Sequence, residues 1–209
     1  MSDFMPKTKN LLNKKNIFIL VALLILLVGG LFFLQQSNKK IKGSPDNYII
    51  KETEEGIFVE NKKAGLIVKA PEGWDVKRVE IGEGAVDFYS SNLEINQREG
   101  GIILPLEKGC KIQASVGYEK SNFVEIETEL KYSFALMGMK SVDFEEIIVD
   151  NYPSLKSTFD IKEKGSGIGM SVSIPTNNKV YGFSVMWGSD EEKRCIQEFD
   201  EFLETISIK

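Results

Sequence analysis

The chain of 209 residues contains no histidine and only two cysteines. Histidine is the commonest general base near neutral pH and the commonest zinc ligand, so its absence removes the usual hydrolase triads and most zinc sites. Cys110 could serve as a nucleophile, but no imidazole is present to activate it, and Cys195 lies too far along the chain for a CxxC motif. We therefore predict no catalytic residue, no metal ligand and no cofactor, and a protein that is not an enzyme.

The usual replacements for histidine are missing as well, because no Ser–Lys pair and no pair of carboxylates has a recognisable spacing. Residues 164–169 (KGSGIG) are rich in glycine, but they lack the Lys-Ser/Thr of a phosphate-binding loop and precede a strand, so they predict a hairpin turn. Acidic clusters such as residues 190–192 lack the spaced Asp/Asn-Gly loop of a calcium site, and they favour helix capping and solvation.

Positive charge is scarce in most of the chain. Residues 1–42 contain seven Lys and one Asp, whereas residues 43–209 contain 19 Lys and Arg against 30 Asp and Glu, so the two parts carry net charges of +6 and −11. An acidic domain repels phosphate backbones, and this one has no basic stripe interleaved with aromatic residues. We predict that nucleic acid is not a partner and that the acidic surface keeps the domain in solution.

One long apolar segment dominates the N-terminal part. Residues 17–34 (IFILVALLILLVGGLFFL) are uncharged, and a helix of this length spans about 27 Å, close to the hydrocarbon thickness of a bilayer. A helix of a soluble core would have a polar face. A cleaved signal peptide would have a shorter apolar region followed by a small-residue cleavage site. The segment therefore predicts an uncleaved transmembrane anchor.

The lysines around this segment, four before it and three after it, favour a cytoplasmic N-terminus. We predict a single-pass protein of the cell membrane with four parts. These are a basic cytoplasmic tail at 1–16, a transmembrane helix at 17–34, a juxtamembrane linker at 35–47 and one extracytoplasmic domain at 48–209. The membrane is thus a predicted partner through residues 17–34, and the oligomeric state stays open.

Short alternating or β-rich segments, separated by glycine, proline and charged turns, fill most of the domain and predict strands. The predicted strands are residues 48–52, 56–60, 65–70, 74–80, 85–90, 111–118, 144–149, 155–161, 168–174 and 181–187, with a short edge strand at 206–208.

Two amphipathic helices interrupt the strands. Asn122 with Glu125, and Ser189 with Glu192, have the spacing of a capping box at a helix start. The apolar stripes that follow are Phe123, Ile126, Leu130, Phe134 and Met137 in the first helix and Ile196, Phe199, Phe202 and Leu203 in the second. Together these elements predict an α+β fold, in which a mainly antiparallel sheet packs against two amphipathic helices that cover one of its faces.

A proline–glycine turn precedes the fourth predicted strand. Pro71 sets the turn, Gly73 allows a positive φ, and Trp74 offers a large apolar surface where the strand begins. We predict a structural role for these three residues.

The order of these features resembles the PsbP-like and DcrB-like domains over about residues 55–208. The matching pieces are the turn at 70–74 (APEGW), an alternating strand before Asn122, the turn at 150–153 (DNYP) between strands, the segment 180–183 (VYGF) and the terminal helix.

The resemblance implies an α+β fold with an antiparallel sheet between helices. DcrB-like proteins are envelope components without established catalysis. PsbP is an extrinsic photosystem II subunit that helps retain manganese, calcium and chloride. Histidines contribute to metal sites in PsbP, and this chain has none. A metal role is therefore not carried over.

The two cysteines leave two alternatives. Cys110 has the inward parity of Ile112 and Val116, and Cys195 lies beside the apolar stripe of the second helix. If the sheet and this helix pack together, the two residues could form a disulfide; otherwise they are buried free thiols. A bridge requires Cα atoms within about 7 Å.

The sequence as a whole predicts a non-catalytic, membrane-anchored extracytoplasmic domain that binds or supports an envelope protein. The alternative is a sensor or carrier domain for a small molecule or an ion, which would require a pocket with a few converging polar groups.

Overall fold

The computed structural model of the protein describes residues 43–79, 84–95, 106–136, 142–159, 169–188 and 190–209. The predicted cytoplasmic tail, the predicted transmembrane helix and residues 35–42 of the linker lie outside the described residues, and so does most of the glycine-rich segment 164–169. Within the described ranges, no helix is both long enough and apolar enough to cross a bilayer.

The described residues contain thirteen strands and two α-helices. In chain order they are β1 (Tyr48–Thr53), β2 (Gly56–Asn61), β3 (Leu66–Lys69), β4 (Asp75–Val79), β5 (Ala85–Tyr89), β6 (Glu94–Ile95), β7 (Leu106–Lys108), β8 (Cys110–Gly117), α1 (Phe123–Leu136), β9 (Val142–Val149), β10 (Tyr152–Phe159), β11 (Gly169–Pro175), β12 (Val180–Trp187), α2 (Glu192–Glu204) and β13 (Ser207–Ile208).

The strands form a seven-stranded sheet in the order β4-β5-β8-β12-β11-β10-β9, a four-stranded sheet in the order β1-β2-β3-β13 and a β6–β7 pair. Every pairing is antiparallel. Asp150 and Asn151 form the β9–β10 turn with positive φ angles of 46° and 65°, a conformation that Asp and Asn tolerate in hairpin turns. These pairings confirm the predicted mainly antiparallel α+β class, and β13 supplies the predicted edge strand.

One face of the seven-stranded sheet, which we call the inner face, is buried. Its fully or nearly fully buried side chains are Val86, Phe88, Ile112, Ala114, Val116, Met170, Val172, Ile174, Tyr181, Phe183, Val185 and Trp187. The four-stranded sheet and α2 cover this face, and all three contribute to one apolar cluster. The ring of Phe202 in α2 lies with its centroid 5.0 Å from Phe88 and 6.1 Å from Phe183.

The other helix packs on the opposite, outer face. In α1 the ring centroid of Phe134 lies 4.6 Å from that of Phe159 on β10. Phe159 pairs with Gly169 on β11, which pairs with Met186 on β12, so Phe159 and Met186 share one face of the sheet. Met186 and Phe183 have opposite parity on β12, so the two helices lie on different sides of the sheet. The expectation that both helices cover one face is therefore wrong. An apolar stripe determines which side of a helix is buried, but not which face of a sheet buries it.

The two helices also begin differently. At α1 the predicted capping box is confirmed: Glu125 N–H donates to Asn122 Oδ1 at 3.1 Å, and Asn122 N–H donates to Glu125 Oε2 at 3.0 Å. At α2 the N-cap is Glu191, which makes no side-chain capping bond. Its carboxylate accepts instead from Arg194 and Asn92. The predicted N-cap, Ser189, lies outside the described residues.

Replacing Phe202 by alanine should lower the free energy of unfolding by about 3–5 kcal/mol, because the ring is buried between the sheet and α2. Val124→Ala, at a 73% exposed position, should change it by less than about 0.5 kcal/mol. Denaturant unfolding followed by the fluorescence of the buried Trp74 and Trp187 measures both changes. Small and equal effects would contradict the proposed core.

Candidate functional site

The two cysteines are disulfide-bonded in the structure, and none of the described cysteines is free. Cys110 begins β8 and Cys195 lies in α2, with Cα atoms 5.6 Å apart and both side chains fully buried. A guanidinium nitrogen of Arg194 lies 3.6 Å from Cys110 Sγ. The bond therefore links a strand inside the seven-stranded sheet to the helix that covers its inner face, and it is shielded from solvent.

Residues 71–74 form a tight turn before β4. Trp74 N–H donates to the Pro71 carbonyl at 3.2 Å, Gly73 has a φ of +75°, and the Trp74 side chain is buried in the core. A cavity of about 300 Å³ separates this turn from α2, and Glu198 and Glu201 are among its lining residues. Burial raises the pKa of Glu198 above its ordinary value. The turn is thus a structural element beside a small acidic cleft.

A buried carboxylate occupies the outer face. Asp87 is 3% exposed and accepts from Lys111 Nζ at 2.8 Å, from the Tyr89 hydroxyl at 2.8 Å and from Gln113 Nε2 at 2.7 Å. Burial, with Asp87 beside it, raises the pKa of Tyr89. Because both carboxylate oxygens are occupied by donors, Asp87 is not placed to take a proton from a substrate. The group is a structural ion pair.

The solvent side of α1 carries a row of apolar side chains. Val124, Tyr132 and Leu136 are 73%, 67% and 71% exposed. With Thr128 they follow one another at intervals of four residues, which places them along one side of the helix. The Thr128 hydroxyl donates to the Val124 carbonyl at 2.7 Å, so its polar group is satisfied within the helix. We call Val124, Thr128, Tyr132 and Leu136 the α1 stripe.

Acidic side chains border the α1 stripe. Glu125 and Glu129 are exposed on the same helix, and the exposed Glu146 lies on the outer face of β9, the neighbouring edge strand, with the parity of Val142 and Phe144. Lys131 contributes the one positive charge of α1, and Glu127 already pairs with it. The stripe is therefore an apolar row with a negative border.

A second surface feature is a pocket of about 340 Å³ beside the turn that joins β2 to β3. We call it the lysine pocket. Its lining residues are Glu60, Asn61, Lys62, Lys63, Ala64, Gly65, Leu66, Ile67, Lys179 and Lys209. Four lysines thus meet one carboxylate, and Lys51 already pairs with that carboxylate, Glu60. In a domain of strongly negative net charge, this is a concentrated positive site.

Neither surface was identified from the sequence. The α1 stripe had a visible signal, the four-residue spacing from Val124 to Leu136, but the stronger stripe on the buried side of the same helix concealed it. The lysine pocket had no visible signal in the sequence, because Lys62 and Lys63 are distant in sequence from Lys179 and Lys209. The described residues also contain no group of three or more Cys, Asp or Glu arranged to hold a metal ion.

These features define an α+β domain with a disulfide across its core and two distinctive surface sites. No protein-family model matches the chain, and no curated protein does. Among solved structures, the chain is similar to the solution structure of cyanobacterial PsbP (CyanoP) from Synechocystis sp. PCC 6803. The match has a TM-score of 0.45 and 12% sequence identity, and covers 72% of this chain and 90% of that chain. That protein belongs to the family that the sequence resembles.

Replacing both cysteines by alanine should lower the free energy of unfolding by about 4 kcal/mol, because the bond closes a loop with a sequence separation of 85 residues. Denaturant unfolding with and without reductant measures the change. Reductant should destabilise the parent chain by a similar amount and leave the double-alanine variant unaffected. An equal response of both proteins to reductant would show that the two cysteines are not bonded.

Replacing Asp87 by alanine should lower the free energy of unfolding by about 3 kcal/mol, because Lys111 would be left with its charge largely buried and unpaired. Asp75→Ala on the neighbouring strand removes an exposed carboxylate and should cost less than about 0.5 kcal/mol. Thermal or denaturant unfolding distinguishes them. A cost for Asp87→Ala no larger than that of the control would refute the buried ion pair.

Proposed function

We propose that the protein is a non-catalytic, membrane-anchored extracytoplasmic domain that docks an envelope protein through the α1 stripe. The observation that carries this proposal is the row of large, exposed apolar side chains on the solvent side of α1. Scattered apolar residues on a surface need no explanation. Three of them, each between 67% and 73% exposed and aligned along one helix, are typical of an interaction surface.

The chemistry of the border suggests what occupies the stripe. An apolar row about 18 Å long accommodates three to four turns of an amphipathic helix. The acidic residues of α1 and β9 would repel an acidic partner and attract a basic one. The proposed occupant is therefore a basic amphipathic segment of an envelope protein, and the flanking charges would guide its approach while the apolar contacts supply affinity.

The proposed compartment rests on two further features. A disulfide persists in oxidising environments outside the cytoplasm and is rare within it, and Cys110 and Cys195 are bonded. The predicted anchor at 17–34 would hold the domain at the membrane surface. Protease added to intact cells should digest 48–209 under this proposal, whereas complete protection would contradict the proposed topology.

A photoreactive amino acid at position 132 tests the docking surface in native membranes containing the full chain. We expect an adduct whose cross-linked peptide, identified by mass spectrometry, is amphipathic and rich in Lys and Arg. Leu136→Ser and Glu129→Lys should each lower its yield several-fold without unfolding the domain, because both side chains are exposed.

The matched control places the same photoreactive group at Lys193, an exposed position on α2, and should give no such adduct. Equal adducts at both positions would refute a specific surface. An adduct with twice the mass of the chain would also overturn the proposal, since it would identify a second copy as the occupant, and a cross-linked acidic peptide would contradict the charge argument.

A further inference from the structure

The lysine pocket has a defined framework rather than a chance grouping of surface lysines. The Ala64 carbonyl at its turn accepts from the Tyr181 hydroxyl at 2.6 Å and from Lys179 Nζ at 3.2 Å. Burial raises the pKa of Tyr181 to about 12, so this hydroxyl stays protonated and continues to donate. The β2–β3 turn is thereby attached to β12, and the Lys179 ammonium group is fixed beside it.

The opposite wall is held by backbone contacts. Lys209 N–H donates to the Gly65 carbonyl at 3.0 Å, and Gly65 has a φ of +77°. A Cβ at that position would lie within 2.4 Å of the Lys209 carbonyl oxygen. Only glycine allows the turn to approach this segment so closely. The backbone therefore brings Lys209 to the same pocket as Lys62 and Lys63.

Asn61, which also lines the pocket, has a buried side chain. Asn61 is 1% exposed, and its Oδ1 accepts from Ala64 N–H at 3.1 Å and from the Tyr118 hydroxyl at 3.4 Å. The amide is thereby oriented with Oδ1 as the bonded acceptor. Its Nδ2 has no hydrogen-bond partner among the residues that the structure describes. An unpaired buried donor is unfavourable.

We propose that the lysine pocket binds a phosphate group. Several ammonium groups around one cavity suit a multiply charged, compact anion with acceptor oxygens on all sides, and each lysine offers three rotatable donors. A volume of about 340 Å³ accommodates a phosphate together with part of the molecule that bears it. This site is separate from the α1 stripe and does not depend on it.

The phosphate could belong to a free anion or to the headgroup of an acidic lipid. The lipid source has a geometric basis in the chain itself, because Tyr48, the first residue of β1, is paired with Asn61 at the pocket. The last residues of the predicted linker belong to the domain, because Pro45–Asn47 form a 3₁₀ helix in which Asn47 N–H donates to the Ser44 carbonyl at 3.0 Å. If residues 17–34 form the anchor, acidic lipids of the same membrane are a source of phosphate groups.

Amine acetylation of the full chain, quantified by mass spectrometry for each lysine, tests the site. One arm uses detergent micelles with inorganic phosphate, against chloride at equal ionic strength. The other uses vesicles of phosphatidylcholine, alone or mixed with phosphatidylglycerol. We expect Lys62, Lys63, Lys179 and Lys209 to react several-fold more slowly in one or both arms. Lys120 and Lys193, which are exposed elsewhere, should react at unchanged rates.

The variant Lys62→Gln/Lys179→Gln should abolish the protection of Lys63 and Lys209, whereas Lys120→Gln/Lys193→Gln, with the same change of net charge, should preserve it. Protection by phosphate in micelles supports a free anion, and protection confined to the phosphatidylglycerol vesicles supports a lipid headgroup. Unchanged rates in both arms overturn the proposal. Equal slowing at Lys120 and Lys193 also overturns it, because the effect would then be general ionic screening.

Discussion

The structure depends on covering the inner face of one wide sheet. That face presents aromatic and branched side chains from β5, β8, β12 and β11, and leaving them in water would cost more than any other feature of the fold. Neither the four-stranded sheet nor α2 covers this face by itself. The four-stranded sheet covers one part through residues such as Val59 and Val68, and α2 covers another through Phe199 and Phe202. Phe202 is central, because it contacts rings of both β5 and β12.

The disulfide reinforces this arrangement where a helix and a sheet are joined by side chains alone. Among the residues that the structure describes, no backbone hydrogen bond joins α2 to the seven-stranded sheet, and α2 is held there by apolar contacts and by the bond between Cys110 and Cys195. The outer face is subject to a weaker constraint. There α1 buries only Ile126 and Phe134, and polar pairs such as Asp87 with Lys111 replace an apolar layer. The α1 stripe accordingly lies away from the inner core, whereas the lysine pocket adjoins it through Ala64 and Leu66.

Local patterns predicted the elements well. Alternation identified Ile112, Ala114 and Val116 as one buried row, because successive side chains of a strand point to opposite faces of the sheet whatever surrounds it. The α1 capping box followed from Asn122 and Glu125 alone, because its two hydrogen bonds are local. The start of α2 could not be predicted in the same way. There the Glu191 carboxylate accepts from Arg194 and Asn92 instead of capping the helix, and Asn92 comes from a distant loop.

The sequence by itself determined the antiparallel α+β class, the acidic surface and the parity that made Cys110 and Cys195 candidates for a bond, since each follows from composition or from a period of two or 3.6 residues. Only the tertiary structure decided that a second sheet shares the cover of the inner face, and that Lys62, Lys63, Lys179 and Lys209 surround one pocket. Those features depend on the pairing of segments far apart in the chain, and no local pattern carries the information that selects one pairing over another.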